Sequence, residues 1–180
     1  MSTFTEASWQ QHCRDGIVAH AEFLNAWQSH VGYSQQRPVE DITQSMNGMR
    51  TLFQDGFVWP VDCSGTIEWI FKWSGMRSPT GHTYGGWGTQ AMWQHLTTRF
   101  DDTAHTHAGT IGVYGVEGDQ HGVIVLTPGT TRAETTVFSH GETGECRILP
   151  LSYEDTAHEG QPFTFLSILP LFPPLPHTQA

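Results

Sequence analysis

Residues 61–75 read VDCSGTIEWIFKWSG. Ile67, Ile70 and Phe71 make one stripe at helical spacing, and Trp69 and Trp73 make a second at i, i+4. A helix that is apolar nearly all round has no face to give to water, so it belongs in the middle of a core. Its ends are marked as well. Asp62 and Ser64 are capping-type residues at the start, and Gly75 follows the last periodic residue. A helix from Asp62 or Cys63 to Ser74 is therefore predicted as the element about which the rest is arranged. A single cysteine, Cys63, stands at its threshold, a position that suits a buried structural thiol and an activated nucleophile alike.

The first hundred residues otherwise read as helices. Trp9, Cys13, Ile17, His20, Leu24, Trp27 and Val31 recur at steps of three and four, predicting a helix over 6–31 that Gly32 stops. A loop through Pro38 follows, then a shorter helix over 41–53 with Ile42, Met46, Met49 and Phe53 on one face. The Gly- and aromatic-rich loop SPTGHTYGGWGTQ leads to a short helix near Ala91 to Thr98. From residue 109 the pattern changes. AGTIGVYGV, HGVIVLTPG, TTVFSHG and ECRILPL are short β-rich runs separated by turn residues, as in an antiparallel meander. Helices first and strands later predict an α+β domain over residues 1–155. Residues 156–180 are expected to add a C-terminal strand and a Pro-rich tail, LPLFPPLPHTQA, extended and outside the core.

A chain of 180 residues is long enough for one domain with a real core. Seven Trp and ten Phe against 14% charged residues mark a folded chain rather than a disordered one. A net charge of −10 with eight Lys and Arg speaks against a nucleic-acid partner. No run approaches a membrane span, and MSTFTEASWQQHCRDG lacks the basic and apolar regions of a signal peptide, so none is expected. Cys13, Cys63 and Cys146 form no CxxC motif, which fits a reducing folding compartment. Cys13 lies on the apolar stripe of the first helix, and Cys146 reads as a strand or turn residue without chemistry.

A thiol becomes a nucleophile where its thiolate is favoured, by a helix N-terminus and above all by an imidazole. Cys63 sits at such a terminus. Of the eleven His, His121 opens the strand HGVIVL and is the best candidate to face it. His140 ends the next strand run, and in a hairpin its side chain is expected to return to His121 and fix the tautomer. His105 and His107, with Asp101 and Asp102, invite a zinc reading, but the segment reads as a solvated loop without a further ligand. No metal and no cofactor is assigned.

DCSGT before an apolar helix, followed by GTIGVYGVEGDQHGVIVL, resembles the Cys and His motifs of the NlpC family of papain-like cell-wall cysteine peptidases. VGYSQ upstream and VFSHGETGECRILPL downstream resemble the phage-encoded branch, found in endolysins and virion-associated lysins. The likeness runs through residues 20 to 152 in order and spacing. It implies a papain-like fold with the Cys helix packed on a five- or six-stranded antiparallel sheet. It implies hydrolysis of amide bonds in peptidoglycan stem peptides, with Cys63 as nucleophile, His121 as general base and His140 as the third polar residue. Tyr33, Asp62 and Ser64 match residues that line the subsite for the substrate amine. Gly122 departs from the pattern, since relatives more often carry an apolar β-branched residue there.

The resemblance leads to a peptidoglycan endopeptidase, with an N-acetylmuramoyl-L-alanine amidase of CHAP type as the alternative on the same Cys–His pair. A rival of another class is a tail-tip protein that binds wall without cutting it. The phage reading implies synthesis in the bacterial host cytoplasm, and action on the wall after holin-mediated release or as part of the virion. Other phage tail or lysis proteins would then be partners.

Overall fold

The computed structural model describes residues 5–35, 45–82, 84, 88–141 and 145–175. The chain opens on α1 (Glu6–Ala26), started by a reciprocal capping box in which Thr5 and Ser8 satisfy each other's backbone N–H. Cys13, Ile17, Ala21 and Leu24 form its buried face. The helix ends five residues earlier than its periodicity suggests. Val31 and Gly32 leave it for β1 (Val31–Tyr33), which pairs in parallel with β2 (Trp59–Val61) after α2 (Met46–Gln54). Gly32 thus serves as a strand position close to Val58 rather than as a helix stop. Ile42 and the Pro38 loop lie outside the described residues.

The central helix, α3 (Cys63–Trp73), forms as its sequence dictates. Every residue from Cys63 to Phe71 is buried. Gly75, at φ +69°, closes it, with Gly75 N–H on the Lys72 carbonyl and Met76 N–H on that of Phe71. Trp59, Trp69 and Trp73 pack as a triangle with ring centroids 6.0–6.3 Å apart, which locks α3 to the β1–β2 pair. The helix also buries a carboxylate, Glu68, which accepts from Thr80 Oγ1 at 2.9 Å and so ties down the following loop.

After α4 (Gly88–His95) come β3 (Arg99–Phe100), β4 (Ile111–Tyr114), β5 (His121–Thr127), β6 (Thr136–His140) and β7 (Cys146–Pro150). Then α5 (Leu151–Ala157) leads to β8 (Phe163–Leu166). The six strands from β3 onward form one antiparallel sheet in the order β3-β8-β4-β5-β6-β7. The α+β architecture and the predicted meander β4 to β7 are as expected. Strand β3 and helix α5 carry too few apolar repeats to be legible.

The strand period of two divides the sheet into faces. Ile124, Leu126, Phe138 and Ile111 face α1 and α3 in the main core, while Val123, Val125, Val137 and Tyr114 face Leu151 of α5. A bulge between Val125 and Thr127 shifts the pairing of β5 with β6 by one residue. The Pro-rich end departs from the expected non-core tail. Leu171 is buried among the core residues, and Pro173 accepts from the Trp9 indole at 3.2 Å. The proline run lacks backbone donors but still offers carbonyls and apolar surface to α1.

Candidate functional site

Asp62 precedes α3 in extended conformation and caps it. Its Oδ1 accepts from Gly65 N–H at 2.7 Å and from Ser64 Oγ–H at 2.8 Å, with both side chains buried. These bonds fix the first turn and hold Cys63 at the helix start, at the positive end of the helix dipole. Cys63 borders a cleft of about 340 Å³ that Tyr33, Asp62, Ser64, Thr89 and Gln120 also line. Tyr33 reaches it because β1 pairs Tyr33 with Val61, two residues before the cysteine. The other two thiols have no such setting. Burial pushes both Cys13 and Cys146 up, and neither joins a disulfide.

Removing the cap has a measurable cost. Asp62→Ala should destabilise the protein by about 1–2 kcal/mol, because Gly65 N–H and the Ser64 hydroxyl lose a buried acceptor. Urea unfolding of the variant checks this, and Asp62→Asn should recover part of the loss.

The two candidate imidazoles do not meet. Strand pairing sets Val123 opposite Ser139, so His121 and Ser139 share one face of the sheet while Gly122, Phe138 and His140 share the other. His121 Nε2 lies 3.0 Å from Ser139 Oγ and 3.7 Å from Glu154 Oε2, and its ring stacks on His158 at 4.8 Å. The expected return of His140 to His121 is therefore corrected by strand parity. Gly122 takes the face turned to α3, where a Cβ would sit 2.7 Å from Thr89 Cγ2 and 2.9 Å from Ile67 Cδ1. The missing side chain at that position lets β5 lie against the Cys63 helix, with Gln120 at the cleft.

His140 is the imidazole on the face of the sheet that α3 covers. It is 1% exposed, and its ring meets Tyr33 edge-on at 5.3 Å. Neither ring nitrogen has a well-formed hydrogen bond among the described residues, and the Asp62 backbone is the polar group that bears on the ring. Burial brings its pKa down to about 4, opposed in part by the backbone and carboxylate of Asp62. Burial also lowers the pKa of His121, against the pull of Glu154, so both rings are neutral near pH 7.

Four polar residues of the Cys63 cleft and of the cavity of about 410 Å³ beside His121 were not singled out in the sequence: Gln120, Ser139, Glu154 and His158. The i, i+4 spacing of Glu154 and His158 was a visible signal, as was Gly122, which marks the helix-facing parity of β5. His105 pairs with exposed Asp102 at 2.8 Å, in keeping with a solvated loop.

No family profile and no curated protein sequence matches the chain. Solved structures do. RipD of Mycobacterium tuberculosis, a non-catalytic NlpC/p60 domain protein adapted to peptidoglycan binding, superposes with a TM-score of 0.53 at 14% identity, covering 87% of this chain and 98% of its own. This is the NlpC/p60 fold. The peptidoglycan hydrolase RipB of the same organism gives 0.54 at 16% identity over 92% of this chain and 68% of RipB. The P60 domain of antigen MAP1204 from M. avium subspecies paratuberculosis gives 0.51 at 16% identity, over 87% of this chain and 96% of that domain. In this NlpC/p60 fold the helix that begins at Cys63 packs on a six-stranded sheet, the arrangement the resemblance implied.

Proposed function

We propose that this protein acts on bacterial peptidoglycan as a cysteine hydrolase of stem-peptide amide bonds. The observation that carries the reading is Cys63 at the capped start of a helix buried from Cys63 to Phe71, bordering a cleft with Tyr33, Asp62, Ser64 and Gln120. A thiolate there attacks the amide carbonyl, and the N–H groups at the start of α3 stabilise the oxyanion. His140, neutral and on the α3 face of the sheet, takes the thiol proton and returns it to the leaving amine. Tyr33, Asp62 and Ser64 border the place for the stem-peptide amine. The motif resemblance to phage lysins supports reading it as an endolysin or a virion-carried tail lysin, working with other phage proteins after release from the host cytoplasm.

A second reading has its own observation. An amide, Gln120, and not His121 lines the Cys63 cleft, and RipD, of the same fold, is described as non-catalytic. In that reading the cleft holds wall without cutting it.

One experiment separates the two. Purified sacculi are incubated with tag-free protein, and both the pelleted protein and the released muropeptides are measured. New termini in the mass spectra establish the hydrolase and name the bond, endopeptide or muramoyl-alanine. Pelleting without new termini establishes the binder, and neither signal overturns both.

A further inference from the structure

On the face of the sheet away from Cys63, three side chains converge that neither reading of the thiol site uses. His121 on β5, Glu154 on α5 and His158 just past the end of α5 each offer one ligand atom, and these atoms lie within 4.8 Å of one another. Glu154 Oε2 is 3.7 Å from His121 Nε2 and 3.6 Å from His158 Nε2. Ligands bound at about 2.0–2.1 Å in a tetrahedron stand about 3.3 Å apart. Closing this triad on an ion therefore needs small side-chain movements at Glu154 and a rotation of the stacked rings.

We propose that His121, Glu154 and His158 bind a divalent transition-metal ion, of the class zinc belongs to. Two imidazoles and one carboxylate suit late first-row divalent ions rather than magnesium or calcium, which prefer all-oxygen sets. The surroundings are built for the purpose. Ser139 Oγ lies 3.0 Å from His121 Nε2 and also bonds Glu154, so its hydroxyl can release the imidazole nitrogen to the ion and keep the carboxylate oriented. His121 and Glu154 are buried, which fixes two ligands, while His158 is more open and completes the set. The remaining coordination positions face a cavity of about 410 Å³. Tyr33 and Gln120 line both this cavity and the Cys63 cleft. A bound ion would thus clamp α5 to the first residue of β5, one residue from Gln120.

The test uses the full chain without an affinity tag, stripped with chelator and titrated with Co2+ and then Zn2+. The expected result is one Co2+ per chain with visible d–d absorption of a four- or five-coordinate ion, displaced by Zn2+, and a rise in unfolding temperature with Zn2+. His158→Ala and Glu154→Gln should each weaken binding by at least about tenfold, while His105→Ala, on the exposed loop, should not. His158 is chosen because its side chain is only partly buried, so its loss leaves the fold intact. Wild-type protein that binds no Co2+ in this form, or binds it equally well in His158→Ala, overturns the proposal.

Discussion

Cys63→Ala should lower the release of muropeptides from sacculi by at least about 1,000-fold while shifting the unfolding midpoint by no more than about 4 °C. The first half follows from the chemistry. No other described residue at the cleft offers a thiol, and Cys13 and Cys146 are buried with their thiols held protonated. The second half follows from the packing. Asp62 accepts the capping bonds of Ser64 and Gly65, and Cys63→Ala leaves these in place while removing one buried sulfur. Sacculus pelleting should stay unchanged, because Tyr33, Asp62, Ser64 and Gln120 remain in place. His140→Ala should reproduce the loss of release. A loss in His121→Ala with His140→Ala unaffected would instead place the base on His121, and would require β5 to present its other face to α3. Release that persists in Cys63→Ala would sink the thiol mechanism.

The second large effect is on stability. His140 titrates near 4 in the folded protein against an ordinary value of 6.5, because its buried ring resists protonation. Between these values the unfolded chain binds more protons than the folded one. The stability tied to His140 is therefore complete above about pH 6.5, declines as pH falls, and is fully lost below about 4. At about pH 4.5 the loss amounts to about 2–3 kcal/mol. Urea unfolding at pH 7 and pH 4.5 in metal-free buffer should show it, against His140→Phe as the reference. The phenyl ring keeps the edge contact with Tyr33 and removes two buried nitrogens that lack well-formed hydrogen bonds, so the variant should be about as stable at pH 7 and should lack this share of the acid loss. Equal losses in the two proteins would show that His140 is protonated without penalty.

Much of the architecture could be read from local pattern. The all-round apolar face of 63–73 predicted a central helix, and the cap residues Asp62 and Gly75 act where they stand in the sequence. The meander from β4 to β7 was legible because each strand carries its own β-branched run and turn. What pattern could not supply was which face of β5 meets α3. HGVIV alternates imperfectly, with apolar residues on both faces of a strand covered on both sides, so period alone does not choose between His121 and Gly122. The choice is made by tertiary contact, at Ile67 and Thr89, with the unbranched backbone of Gly122. The same limit hid the grouping of His121 with Glu154 and His158, which depends on α5 crossing the far face of the sheet. It also hid the burial of Leu171, whose proline neighbours look like linker until α1 is there to receive them.

The bulge between Val125 and Thr127 bears on how such a site can change. In an unbroken strand a one-residue shift would turn every side chain over, burying polar groups in the core. The discontinuity lies near the very end of β5: residues 121–125 pair in one unbroken frame with β4 or β6, and only Thr127 pairs beyond it. A slip that brought His121 to the face of Gly122 would therefore also carry Ile124 out of the main core. The side chain offered to the thiol cleft is thus tied to the packing of the whole strand. Exchanging the amide for an imidazole there calls for a substitution at residue 120, which leaves the frame and the core as they are.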